Sequence, residues 1–189
     1  MIRPDMLFLA LAVVWVASEF WIGRKRAHDG GKAHDRGSLR LLHVAIWGSI
    51  IAAVWLSRAG IGRFDERFVM PLFWTGCALM VAGMAFRWWA VRVLAQYFTV
   101  DVAIRDDHRL VRNGPYRLLR HPSYTGSLVT FYGFALALGS LWSLLLIVVV
   151  VTAAFLWRIR VEERALVSAF PRDYPAYARE TKRLLPFVW

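Results

Sequence analysis

The chain has 189 residues, of which 58% are hydrophobic and 20% charged, and its formal net charge is +11. This mixture is too apolar for an ordinary soluble domain and favours a membrane protein. The positive charge does not indicate nucleic-acid binding, because it is concentrated between long apolar blocks. The only cysteine, Cys77, lies within one of these blocks, which excludes a disulfide framework and a cysteine-based metal site.

Five apolar blocks divide the chain and predict an all-α fold, a polytopic membrane bundle of about five transmembrane helices. A membrane span needs roughly 20 apolar residues, so the shorter second and fourth blocks must borrow flanking residues. Trp residues near the block ends fit an aromatic belt at the membrane interface. The blocks cover residues 6–22, 41–56, 70–94, 124–138 and 141–159.

Lys and Arg are divided unevenly between the two sides that five spans would create. Twenty of the 24 fall on one side and four on the other. Positive charge marks the cytoplasmic side, so we expect the N-terminus outside and the C-terminus inside. The run Arg24-Lys25-Arg26 follows the first block as a stop-transfer flank, which favours a retained helix over a cleaved signal peptide.

The loop at 24–40 repeats Ala-His-Asp at 27–29 and 33–35. Two His and two Asp could bind a metal, but the glycines around them favour a solvated basic linker, and we predict no metal site. Further along, 97–104 alternates like a short strand.

Local signals mark both ends of the third block. Pro71 is expected to open the third helix, where its missing N–H costs nothing. Arg87 and Arg92 are expected to extend towards lipid headgroups at the other end. Within the fourth block, Gly133 and Ala137 are small residues four apart, which predicts close helix packing. The fifth helix should continue to about residue 170, where Pro171 interrupts it.

A polar stretch at 112–126 lies between apolar runs and resembles a ligand cradle. His121 precedes Pro122, which keeps it out of the helical region, in an extended conformation. Pro122 then opens the fourth helix, whose free N–H groups would suit polar or anionic ligand groups. The alternative is plain helix punctuation with Ser123 as the cap.

Arg158 and Glu162 lie four residues apart and therefore share a helix face. They could form an interfacial ion pair, or each could bind a ligand, and the spacing leaves both open. Elsewhere the sequence lacks the Gly-x-Gly-x-x-Gly, Walker, His-Glu-x-x-His and Gly-x-Ser-x-Gly motifs, which argues against the common nucleotide-binding folds and hydrolases.

Four motifs in the second half resemble the isoprenylcysteine carboxyl methyltransferase family of integral membrane enzymes. The resemblance covers about half of the chain, 97–189. It assigns 1–95 to the first three spans, and 96–189 to the cofactor-binding loop, two further spans and an amphipathic tail, in one integrated domain. The motifs are His-x-Leu-Val at 108–111, Gly-x-Tyr at 114–116, Arg-His-Pro-Ser-Tyr-x-Gly at 120–126 and Glu-Glu-x-x-Leu at 162–166.

The resemblance implies an S-adenosylmethionine-dependent methyltransferase with a cytoplasmic cofactor pocket. The Ala/Arg/Val/Trp-rich composition favours a prokaryotic inner membrane. Arg158 would bind the carboxylate of a prenylcysteine-like substrate, and Asp101 is a weak candidate for the cofactor. The cofactor contacts that it implies are His108, Arg109, Leu110, Val111, Tyr116, His121, Pro122, Ser123, Tyr124 and Glu162.

Other functions remain open at this point. The acceptor could instead be another lipid-like phenol, thiol or amine. The chain could also be a non-enzymatic lipid-binding subunit whose basic faces hold anionic headgroups. A small transporter is disfavoured, because the apolar blocks show no inverted halves.

Overall fold

The computed structural model describes residues 4–24, 32–33, 37–95, 103–104 and 110–185. Its described part is built from α-helices, as predicted, with one two-residue strand pair in which β1 (Lys32–Ala33) lies antiparallel to β2 (Ala103–Ile104). A short 3-10 helix, Gly114–Arg117, precedes the fourth α-helix. The helices are α1 (Pro4–Gly23), α2 (Ser38–Arg58), α3 (Glu66–Leu94), α4 (Pro122–Ala137), α5 (Leu141–Ala169) and α6 (Asp173–Glu180).

Four of the described helices, α1, α2, α3 and α5, are long and apolar enough to cross a membrane. The fourth predicted span forms α4, which has only 16 residues. It is shorter than a full span because Pro122 opens it and the turn at Gly139, with φ of 71°, follows its end. Most of α4 is buried against its neighbours, so this helix forms the centre of the bundle.

A seam of glycines brings α3 and α4 into backbone contact. Gly76 and Gly83 of α3 face Gly126 and Gly133 of α4. A Cβ on Gly133 would lie 2.5 Å from the Gly76 carbonyl oxygen, and one on Gly83 would lie 2.6 Å from the Thr130 nitrogen. The small residues near Gly133 do mark close packing, as predicted, and the partner helix is α3.

Hydrogen bonds tie the α2–α3 loop to the α4–α5 turn at one end of the bundle. The Ser57 hydroxyl donates to the Leu138 carbonyl at 2.6 Å, and the Ser140 hydroxyl donates to the Ile61 carbonyl at 2.8 Å. The Phe64 N–H donates to the Gly139 carbonyl at 3.1 Å. The hydrogen bonds that join the two connections at this end therefore involve only uncharged groups. The start of α4 lies at the opposite end of the bundle.

Two predictions for α3 are wrong. The helix begins at Glu66, because Asp65 caps it by accepting a hydrogen bond from the Arg67 N–H at 3.1 Å, and Pro71 lies inside the helix. Arg87 does not extend to headgroups, since its guanidinium is bonded within the bundle. Arg92, by contrast, is exposed and lies over the Trp88 ring at 5.4 Å.

Alanine substitutions on and off the seam should shift stability in opposite directions. Gly133→Ala places a Cβ against backbone atoms of α3 and should cost about 1–3 kcal/mol by overpacking. Gly48→Ala in α2 meets no atom within 4 Å and should be neutral or stabilising, by up to about 1 kcal/mol. Thermal unfolding in detergent, followed by tryptophan fluorescence, measures both variants. Equal shifts in the melting temperature of the two variants would contradict close packing of α3 against α4 at these glycines.

Candidate active site

The segment before α4 pairs with the tail after α6. The Lys182 N–H donates to the Leu118 carbonyl at 2.9 Å, and the Arg120 N–H donates back to the Lys182 carbonyl at 2.7 Å. The His121 N–H then donates to the Arg183 carbonyl at 3.1 Å. The segment before α4 and the tail after α6 are thus hydrogen-bonded to each other.

Glu163 of α5 joins these two pieces through a partly buried ion-pair cluster. Its Oε1 lies 3.0 Å from Arg120 Nε, and its Oε2 lies 2.9 Å from an Arg183 guanidinium nitrogen. Arg120 also donates to the Ala178 carbonyl at 2.9 Å. Three stretches of chain that are distant in sequence are therefore held at one point.

Four of the predicted site residues meet beside this cluster. The Tyr124 hydroxyl donates to Glu162 Oε2 at 2.8 Å, and His121 Nδ1 lies 3.8 Å from the same oxygen. The His121 and Tyr124 rings stack with their centroids 5.6 Å apart. Arg158 is only 1% exposed and interacts with the Tyr124 side chain, whereas the Glu162 side chain remains 31% exposed. Glu162 thus gives this cluster of polar side chains a carboxylate that is accessible to solvent.

The backbone at the start of α4 differs from the prediction in two respects. His121 lies outside the helical region, as expected before proline, but its ψ of 54° is not extended. Its carbonyl accepts the N–H groups of Tyr124 and Thr125, and Pro122 has no N–H. The helix end therefore offers fewer free N–H groups than predicted, and side chains supply most of the polar character.

Two buried side-chain atoms in the described part of the chain have no hydrogen-bond partner: His121 Nε2 and the Tyr174 hydroxyl. The His121 nitrogen lies 3.4 Å from Glu163 Oε1 but is not aligned for a hydrogen bond. Burial, together with the charges of Glu163 and Glu162, raises the pKa of Tyr174, so its hydroxyl is neutral at ordinary pH. An unsatisfied buried polar group costs about 1–3 kcal/mol.

Tyr116 and Tyr177 connect the 3-10 helix to α6. The Tyr177 hydroxyl donates to the Tyr116 carbonyl at 2.7 Å, and burial raises the pKa of Tyr177 to about 12. Tyr116 is itself buried, with its hydroxyl 3.5 Å from the Ala90 carbonyl oxygen. Tyr116 is therefore bonded to α6 and lies close enough to the cluster for the charge of Glu162 to act on its hydroxyl.

Leu110 and Val111 lie beside the end of α3. They help line a cleft of about 400 Å³, formed by residues 93–95 at the end of α3 and residues 110–113. The predicted contacts His108 and Arg109, the weak candidate Asp101 and the His-Asp pairs of the 24–40 loop lie outside the described residues.

The sequence did not suggest the partners of Arg87. Its guanidinium binds both carboxylate oxygens of Glu19 in α1, at 2.6 and 2.7 Å. The same guanidinium donates to the Ser123 hydroxyl at 2.8 Å and to the Ser123 carbonyl at 3.3 Å. Ser123, predicted as a cofactor contact, is buried and bonded to α3. Roles for Arg120, Glu163, Arg183 and Tyr174 were also not assigned, although the Glu-Glu doublet at 162–163 was a signal.

Comparison with known proteins identifies the family. Residues 71–173, more than half of the chain, match the phospholipid methyltransferase family. A probable protein-S-isoprenylcysteine O-methyltransferase of Oryza sativa subsp. indica is 27% identical over 96% of this chain and 95% of its own length. The cobalt-zinc-cadmium resistance protein CzcN of Cupriavidus metallidurans is 32% identical over 85% of this chain and 71% of its own.

A solved structure supports the same fold. The eukaryotic intramembrane Ras methyltransferase ICMT superimposes with a TM-score of 0.59 and 23% identity, covering 77% of this chain and 52% of that chain. The predicted resemblance to isoprenylcysteine carboxyl methyltransferases is thus confirmed. The chain is an integral membrane methyltransferase and belongs to the phospholipid methyltransferase family.

Proposed function

We propose that this chain transfers a methyl group from S-adenosylmethionine to a lipophilic carboxylate of isoprenylcysteine type. The observation that carries the proposal is the cluster of His121, Tyr124, Arg158 and Glu162, which joins the start of α4 to the end of α5. The names of relatives such as the rice protein support a carboxyl acceptor.

The chemistry of the cluster fits a donor with an amino acid part and a ribose. Glu162 is partly exposed and can accept hydrogen bonds from an ammonium or from ribose hydroxyls. The unpartnered His121 Nε2 and Tyr174 hydroxyl are buried groups that a polar ligand would satisfy. His108, Arg109, Leu110 and Val111 are proposed to extend this contact towards the adenosine.

Arg158 is the candidate group for the acceptor. A guanidinium stays charged at any ordinary pH and can bind a carboxylate through two parallel hydrogen bonds. Its near-complete burial in α5 strengthens the attraction for an anion, because the local dielectric constant is low. An acceptor with an apolar tail would approach this end of α5 from the bilayer.

The protein contributes binding and alignment. When bound, S-adenosylmethionine supplies an electrophilic methyl group on a positively charged sulfur. Arg158 would orient an acceptor carboxylate that is already ionised, so no general base is needed. Alignment of two reactants in this manner can supply on the order of 7–11 kcal/mol. The buried ring of His121 and the partly buried ring of Tyr124 would limit the access of water to the reacting groups.

Replacement of Glu162 tests the donor site. Glu162→Gln keeps the side-chain shape but removes the charge, so it should weaken S-adenosylmethionine binding about 10- to 100-fold, the value of one charged hydrogen bond. Titration calorimetry on the detergent-purified protein measures the affinity. Glu180→Gln, an exposed carboxylate of α6, is the matched control and should bind as the wild type does. No wild-type binding at millimolar donor would refute the proposed function.

The acceptor class can be read from the stability of the product. We expect an S-prenylated cysteine with a free carboxylate to accept labelled methyl as an ester, which mild alkali releases. Its carboxamide counterpart should not react. An alkali-stable label on an endogenous lipid would instead indicate a phenol, thiol or amine acceptor.

Arg158 should matter for this acceptor more than for the donor. Arg158→Lys keeps the charge but loses the paired hydrogen bonds, so kcat/KM for the carboxylate should fall about tenfold or more while donor affinity changes little. Arg160→Lys, on the exposed face of the same helix, serves as the control. An equal effect of both substitutions would contradict the role of Arg158.

We also propose that the site faces the cytoplasm of a prokaryotic cell and that the N-terminus lies outside. Of the 24 basic residues, 20 lie on the same side of the membrane as the site, and positive charge marks the cytoplasmic side. In a Cys77→Ala background, Asp173→Cys should react with a membrane-impermeant maleimide only in inverted vesicles. Arg63→Cys, at the opposite end of the bundle, should react only in intact cells. The reverse pattern would contradict the orientation.

A further inference from the structure

Arg87 connects two membrane helices to the beginning of α4. Its guanidinium forms the bidentate ion pair with Glu19 and also holds both the hydroxyl and the carbonyl of Ser123. The Arg87 side chain is 12% exposed and that of Glu19 is 36% exposed. Charged groups at membrane depth are expensive to keep and often serve function.

The glycine seam fixes the position from which Arg87 reaches Ser123. A Cβ on Gly126 would lie 2.6 Å from the Arg87 backbone nitrogen and 2.8 Å from the Gly83 carbonyl oxygen. The backbones of α3 and α4 therefore touch one turn away from Ser123. The backbone of Arg87 is therefore fixed, and Glu19 holds its guanidinium on one side. The guanidinium consequently has little freedom to move.

Ser123 lies within the first turn of α4, between the two aromatic residues of the cluster. A residue that holds both its hydroxyl and its carbonyl limits the rotation of this turn. The directions of His121 and Tyr124 follow from that rotation, since His121 is the N-cap and Tyr124 is one residue beyond Ser123. A small rotation here would shift the stacked rings and the Tyr124 contact with Glu162.

We infer that Arg87, oriented by Glu19, is a positioning residue that holds the first turn of α4 in the geometry required by the methyl-donor site. This inference rests on the proposed function. It gives α1 a role in the reaction, although that helix lies at the edge of the bundle with many exposed apolar side chains. Arg87 acts through Ser123 and does not itself contact the donor.

Donor affinity and thermal stability must be measured together to test this inference. Arg87→Gln should weaken S-adenosylmethionine binding about tenfold, the effect of losing a charge-assisted hydrogen bond. Arg92→Gln, an exposed arginine of the same helix, should bind as the wild type does. The double variant Glu19→Gln/Arg87→Gln leaves no unpaired charge, so it provides a folded protein for the measurement if the single variant unfolds. It should show the same loss of affinity.

The charge-swapped variant Glu19→Arg/Arg87→Glu separates positioning from simple helix attachment. It restores an ion pair between α1 and α3, but a glutamate cannot donate to the Ser123 carbonyl, as Arg87 does. We expect the melting temperature to recover while donor binding stays weak. Recovery of both would overturn the inference, because Arg87 would then only attach α1.

A double-mutant cycle supplies an independent readout. If Arg87 acts through Ser123, then Ser123→Ala combined with Arg87→Gln should weaken donor binding no more than the stronger single variant does. Additive losses would overturn the inference, as would unchanged affinity in Arg87→Gln. A wild-type chain that binds no donor would refute the proposed function, and the inference with it, so the two failures are distinguishable.

Discussion

The attraction between Glu163 and its two arginines is the interaction on which the site depends. Arg120 precedes α4, Arg183 follows α6, and Glu163 belongs to α5, so one carboxylate holds three segments together. Removal of one member of this partly buried cluster would leave the remaining charge less compensated, which destabilises the junction. Without this attraction the tail would lose its anchor, and His121 would lose the carbonyl to which its N–H donates.

The two ends of the bundle are closed by different chemistry. One end uses serine hydroxyls that donate to carbonyls, such as Ser57 to Leu138 and Ser143 to Ala53. In the described residues, the other end contains buried or partly buried arginines, carboxylates, tyrosines and a histidine, and two of their polar atoms have no hydrogen-bond partner. Neutral hydrogen bonds are sufficient to hold helices together. Charges that are costly to bury are concentrated at the end for which donor binding is proposed.

Much of the architecture could be predicted because it depends on local chemistry. Apolar block length gives the membrane helices, Pro122 gives the start of α4, and Pro171 gives the break before α6. Pro71 was misread, because the capping interaction of Asp65 lies five residues before the first strong apolar signal of the block.

The missed features depend on contacts between distant residues. An arginine near the end of an apolar block has the same local pattern whether it reaches lipid headgroups or pairs with a partner. Glu19 lies 68 residues from Arg87, so no spacing rule could connect them. The glycines of α3 and α4 likewise mark close packing without naming the partner helix. The Glu-Glu doublet could be recognised, but only the fold shows that Glu162 bonds to Tyr124 while Glu163 pairs with Arg120.

The length of α4 has a consequence for where chemistry takes place relative to the bilayer. Sixteen residues rise about 24 Å, whereas the hydrocarbon core is about 30 Å thick. With its Gly139 end at the far boundary, the helix begins about 6 Å below the near one. A fatty molecule could then keep its tail dissolved among the acyl chains while its head group reaches His121 at that depth. Because α4 is shorter than the hydrocarbon core is thick, such a molecule would not have to leave the lipid to reach His121.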